Sequence, residues 1–152
     1  MRLEPDDHIS TYFVLGEAIV SQTADRLGFD NYPDDVTLAR IVLTARKMDS
    51  IRRFLGAPIV VTSWYRCPAL NAAIGSKPTS QHIRGEAVDF RCPQFGRPAQ
   101  VFKAIREGGL IVDQIILEFS TAPSGGWVHV SFSENPRQQA LMIDEHGTRA
   151  VA

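Results

Sequence analysis

The hydrophobic period of this chain changes once, at Gly56-Ala57-Pro58, and that change sets its fold class. Before it, Leu38, Ile41, Val42, Ala45, Met48, Ile51 and Phe54 recur at steps of three and four, while Arg40, Lys47, Arg52 and Arg53 fall elsewhere. That spacing predicts an amphipathic helix, capped by Thr37 or Asp35 and ended by Gly56 and Pro58. An earlier helical stretch runs from Tyr12 to Leu27, with a break near Ser21. After Pro58 the texture becomes β-branched and alternating. Ile59–Thr62, Ala87–Arg91, Val112–Phe119 and Trp127–Ser133 read as strands, with Gln139–Ile143 as a last edge strand. A short helix near Ala69–Ile74 and a longer one over Pro98–Glu107 interrupt them. Helices first and strands second predict an α+β domain, with N-terminal helices packed on a small, mostly antiparallel sheet. The expected organisation is one domain over residues 1–152, helical to 57, with the sheet and the candidate site over 58–143.

Composition narrows the function. Sixteen Lys and Arg balance seventeen Asp and Glu, so no bulk charge draws the chain to nucleic acid or an anionic membrane. No apolar run approaches the roughly 18 residues of a membrane span. The acidic start, Arg2-Leu3-Glu4-Pro5-Asp6-Asp7, lacks the apolar centre of a signal peptide, so the chain is expected to be made in the cytoplasm. Two cysteines, Cys67 and Cys92, exclude a disulfide framework and leave open one bridge or two thiols.

Chemistry gathers on three strands. Alternation puts Ala87, Asp89 and Arg91 on one face of their strand, opposite Val88 and Phe90. It puts Trp127, His129 and Ser131 opposite Val128 and Val130, and Gln114, Ile116 and Glu118 opposite Ile115, Leu117 and Phe119. Each strand thus has an apolar face for a core and one acid or His on the other. His82 lies in the loop just before Asp89. Two imidazoles and a carboxylate suit a zinc ion with three protein ligands and an open fourth position. Glu118 would then be free to act as general base. The same residues also suit plainer roles, a hydrogen-bonded strand His and a solvated Asp.

Ser80-Gln81-His82-Ile83-Arg84-Gly85-Glu86-Ala87-Val88-Asp89 resembles the Ser-x-His-x-x-Gly-x-Ala-x-Asp signature of the zinc D-Ala-D-Ala carboxypeptidase family. That family shares its fold with vancomycin-resistance D,D-dipeptidases, phage endolysins and the Hedgehog signalling domain. Trp127-Val128-His129-Val130-Ser131 is similar to the family's second zinc motif, and Ser63-Trp64-Tyr65-Arg66 with Leu70-Asn71 to its Ser-Gly-Tyr-Arg…Leu-Asn segment. The match covers about Pro58 to Phe132; the N-terminal helices and the Asp30-Asn31 loop resemble the phage and prophage branch less specifically.

The resemblance implies one Zn2+ ion held by His82, Asp89 and His129. It implies Arg66 as the residue that binds and polarises the substrate carbonyl. The family often places its acid three residues before the last His. Here that residue is Gly126, and Glu118 at the end of the preceding strand fits the arrangement of other branches. Ser80, Gln81 and Trp127 are further candidates for substrate contact. The implied activity is hydrolysis of amide bonds in peptidoglycan stem peptides, as a D,D-carboxypeptidase or an endolysin-type endopeptidase. A monomer acting on the cell wall after a phage-type release is expected. The alternative is an inactive zinc-bearing module that binds wall peptide or a protein, which Gly126 favours. A purely structural zinc site fits less well, since such sites are normally closed by four ligands.

Overall fold

The computed structural model describes residues 2–152. The chain is a mixed α/β structure. Its elements are helices α1 (Leu15–Ile19), α2 (Gln22–Leu27), α3 (Asp35–Leu55), α4 (Pro68–Ala73) and α5 (Pro98–Glu107). The strands are β1 (Val60–Ser63), β2 (Ala87–Arg91), β3 (Gln114–Glu118), β4 (Trp127–Ser131), β5 (Gln139–Asp144) and β6 (Gly147–Ala150). They form one six-stranded sheet in the order β1-β2-β4-β3-β5-β6. Among the described residues, no helix is long and apolar enough to cross a membrane.

The chain divides into two compact units, and the divisions fall inside α3, β1 and β2. The first takes in the described residues up to Asp49, and Ser63–Val88. Its N-terminal helical stretch breaks where expected, because Ser21 leaves the helical conformation and its hydroxyl accepts a hydrogen bond from Ala24 N–H. The cap of α3 is neither Thr37 nor Asp35. Asp34 Oδ1 accepts from Thr37 N–H at 2.8 Å, so the cap lies one residue earlier than expected. Ile41, Ala45 and Met48 of α3 are buried with Phe13, Leu15, Trp64 and Val88. Phe13 meets Trp64 edge-on, with centroids 5.8 Å apart. Asp49, also buried, accepts from Ser10 Oγ and from the N–H groups of Thr11 and Tyr12. One helical carboxylate thereby fixes the segment that leads into Phe13.

The second unit takes in Ser50–Thr62 and Asp89–Ala152. Here the buried stripe of α3 ends on Leu55, while Phe54, expected in the stripe, is exposed. Helix α5 packs on β3 and β4 through Val101, Phe102 and Ile105, as its spacing predicts. Strand β3 pairs antiparallel with β4 and parallel with β5. Strand β5 is not the last: β6 follows it in an antiparallel hairpin. Asp113, buried before β3, accepts from Arg137 at N–H, Nε and Nη2, which fastens the chain as it enters β5. Both cysteines are free and buried.

Candidate metal centre

The signature segment is built from close local contacts. Ser80 caps a 3₁₀ turn over Gln81–Arg84, its hydroxyl accepting from His82 N–H at 3.3 Å. Gly85 closes the turn at φ +72, and a Cβ there would overlap Cγ1 of Ile41. Both the backbone angle and the space therefore demand glycine. Within this turn His82 is buried, and its Nδ1 lies 2.6 Å from the Trp64 carbonyl oxygen. A carbonyl only accepts, so Nδ1 carries the proton and Nε2 is left with its lone pair for a metal. Trp64 also donates its indole N–H to the Gly85 carbonyl at 3.0 Å, which ties both ends of the turn to one residue.

Arg66 is seated by the same unit. Its backbone N–H donates to the His82 carbonyl at 3.1 Å, and its Nε donates to Ser63 Oγ at 3.1 Å. Its neighbours are clamped by Asn31, which sequence reasoning placed only in a loop resembling the family. Asn31 Nδ2 donates to the carbonyls of Ile19 and Tyr65, and Oδ1 accepts from Cys67 N–H. Its partners lie 12 to 36 residues away, so no local pattern reveals the clamp. The only signal in the sequence was an Asn in a loop flanked by Asp30 and Pro33.

The other residues sit on neighbouring strands. In the β3–β4 register Ile116 faces His129 and Glu118 faces Trp127, so Glu118, Trp127 and His129 share one face. His129 Nδ1 lies 2.8 Å from Asp89 Oδ1 and 3.8 Å from Glu118 Oε1. Asp89 and His129 are buried, and Glu118 keeps 17% of its side chain exposed. Trp127 packs its ring on Phe119 at 5.5 Å, and its indole nitrogen is buried with no hydrogen-bond partner.

Gly126 has a structural cause. It is buried at φ +69, and a Cβ would overlap the Glu118 carbonyl oxygen and crowd the backbone of Phe119. Phe119 itself has φ 51, so the chain turns sharply as it leaves β3. No acid can occupy position 126 in this connection, and the only carboxylate this turn presents beside His129 is that of Glu118.

His82, Asp89 and His129 each offer one ligand atom, and these atoms all lie within 4.8 Å of one another. Two imidazoles and one carboxylate, all buried, make a donor set suited to zinc. A family model described as Peptidase M15 matches residues 11–131. The chain belongs to this zinc D-Ala-D-Ala carboxypeptidase-like peptidase family. No curated protein matches it. M15 peptidases are zinc-dependent, and the His-Asp-His group of this member has the donors that such an ion requires. The M15 match extends well upstream of Pro58, and so includes Asn31 and α3.

Proposed function

We propose that this M15 peptidase hydrolyses amide bonds in peptidoglycan stem peptides, with a zinc ion held by His82 Nε2, Asp89 and His129 Nδ1. The observation that carries the reading is the convergence of these three buried donors in a chain of this family. We take the whole chain as one peptidase domain of the Hedgehog/D,D-peptidase-like fold. When bound, zinc supplies the Lewis acidity that makes water a competent nucleophile near neutral pH. Glu118 accepts the proton of the attacking water at its carboxylate and passes it to the nitrogen of the leaving amine. Its place beside His129, partly open to solvent, supports this role. Arg66 holds the substrate carbonyl and the negative charge that grows on its oxygen; its fixed backbone and the Ser63 bond to Nε supply the needed preorganisation. Trp127, half-buried on the face it shares with Glu118 and His129, offers its ring as an apolar wall for the bound peptide. Ser80 and Gln81 contribute through the turn they build around His82, with Gln81 half-buried at its start.

The reading as an inactive binding module drew on the absence of an acid at position 126. The tight approach of Gly126 to Glu118 accounts for that glycine on other grounds. The protein acts on the cell wall as a monomer, reaching it by a phage-type route. The deciding experiment is mass spectrometry of purified peptidoglycan fragments incubated with zinc-loaded protein, beside a Glu118→Ala variant. New fragments that vanish in the variant are expected, and their masses identify the bond. Intact fragments over a panel of wall types would overturn the peptidase reading in favour of the binding module.

A further inference from the structure

We infer that Trp64 is a positioning residue for the metal centre, and that it links affinity for the ion to the N-terminal segment. The inference rests on the proposed zinc ligation by His82. Trp64 is buried and makes two hydrogen bonds to the turn that carries His82. Its carbonyl accepts from His82 Nδ1 at 2.6 Å, and its indole N–H donates to the buried Gly85 carbonyl at 3.0 Å. The first bond sets the tautomer and the rotation of the imidazole, and so where Nε2 is held. A backbone carbonyl cannot be substituted away, so the sequence tunes that bond through whatever anchors the residue. The indole is the side-chain anchor, because it grips the far end of the same turn. Trp64 stands where the Ser-Gly-Tyr-Arg segment that it resembles has glycine, so a side chain acts here where that motif has none.

The indole ring is in turn held by a segment some fifty residues earlier. Buried Phe13 meets it edge-on, with the ring planes at 84°. The Phe13 carbonyl accepts from the N–H groups of Ile9 and Ser10, and Asp49 accepts from Ser10, Thr11 and Tyr12. Phe13, Asp49, Trp64, His82 and Gly85 all lie in the first unit. One line of contacts therefore runs from Asp49 through residues 10–12, Phe13 and Trp64 to His82. Close-packed interiors transmit such a displacement rather than absorb it. Linkage makes the coupling reciprocal: an ion that holds His82 also holds Trp64, and so favours the docked N-terminal segment.

The test measures zinc affinity of the full chain by competition with a chromophoric chelator, so it does not depend on turnover. Trp64→Phe keeps a ring beside Phe13 but loses the indole N–H, and should weaken zinc binding by about tenfold to a hundredfold. Phe13→Leu leaves Trp64 intact, removes the edge contact, and should weaken it by about twofold to tenfold. Leu55→Ala, a core truncation in the second unit, controls for lost stability and should leave the affinity unchanged; melting curves confirm that all three variants are folded. Cobalt(II) in place of zinc reports ligand geometry, and its visible absorption bands should shift in Trp64→Phe and stay fixed in Leu55→Ala. Zinc should also slow hydrogen exchange at the amides of Thr11 and Tyr12 in wild type, and less so in Trp64→Phe. Wild-type affinity in both Trp64→Phe and Phe13→Leu, or an equal loss in Leu55→Ala, would overturn the inference and leave the metal centre standing. Failure of wild type to bind zinc would remove both. Zinc binding with the expected losses but no cleavage of wall peptides would remove the peptidase reading alone.

Discussion

Gly125 and Gly126 form a natural pair for measuring what the close approach at the end of β3 is worth. Both have positive φ, +80 and +69, so an Ala at either meets the same backbone penalty. That penalty is about 1–2 kcal/mol. They differ in space. A Cβ on Gly125 would meet nothing within 4 Å, whereas one on Gly126 would stand 2.5 Å from the Phe119 carbonyl carbon and 2.6 Å from its oxygen. These neighbours are backbone and cannot swing aside, so the strand end itself must shift. Forcing extra atoms into a packed place costs about 1–3 kcal/mol more. Gly125→Ala should therefore cost about 1–2 kcal/mol and Gly126→Ala about 2–5 kcal/mol, summing the two terms. Urea unfolding of wild type and both variants gives the values directly. The functional consequence is separable, because the shift moves the backbone of Glu118. Gly126→Ala should lose activity well beyond its loss of folded protein, while Gly125→Ala should not. Equal costs at the two positions would refute the argument, and with it the structural account of why the acid sits at 118.

Three further outcomes are expected. Asn31→Ala leaves the carbonyls of Ile19 and Tyr65 and the N–H of Cys67 without their partner, and should cost about 2–4 kcal/mol in urea unfolding. Asn31→Asp keeps the acceptor toward Cys67 but sets a buried carboxylate oxygen against the carbonyls of Ile19 and Tyr65, so at neutral pH it should cost at least as much as the alanine. Burial pushes the Tyr65 phenol above its ordinary value near 10, so the folded state holds that proton more tightly. The resulting stability is full below about pH 10 and falls as pH rises through the higher folded value; Tyr65→Phe should flatten that alkaline limb in pH-dependent melting. Zinc at a hundredfold excess over its Kd should stabilise wild type by about 2.7 kcal/mol in a thermal-shift series, and His82→Ala should abolish that shift.

Much of the candidate site was legible because its chemistry is local or periodic. The Ser80–Asp89 signature is a single ten-residue run. The common face of Glu118, Trp127 and His129 follows from alternation alone. At Gly85 the structure adds close packing against Ile41 to the backbone freedom that any glycine brings. What escaped was non-local. The parallel partner of β3 depends on which strand arrives beside it after β4, and nothing in Gln139–Ile143 states a direction. Strand β6 is short and exposed throughout, so it carries no alternation to detect. Phe54 and Leu55 are adjacent apolar residues at the end of a helix, and only the surroundings decide which is buried. In the sequence Gly126 shows only as a missing acid, because the backbone that crowds it belongs to Glu118 and Phe119 across the connection.

The hairpin of β5 and β6 supplies no residue to the metal group, yet it determines how the acid is carried. Through it β3 is paired on both sides, and the Phe119 N–H that follows Glu118 donates to the Ile143 carbonyl. Without the hairpin β3 would become an outer strand, with the backbone beside Ile115 and Leu117 open to pairing with other chains. The hairpin thus serves as a sacrificial border: its outermost strand, Gly147-Thr148-Arg149-Ala150, is the one that faces the surroundings, and it is polar and short. Additions beyond β6 should be tolerated, whereas trimming into β5 should cost solubility before it touches any residue of the site.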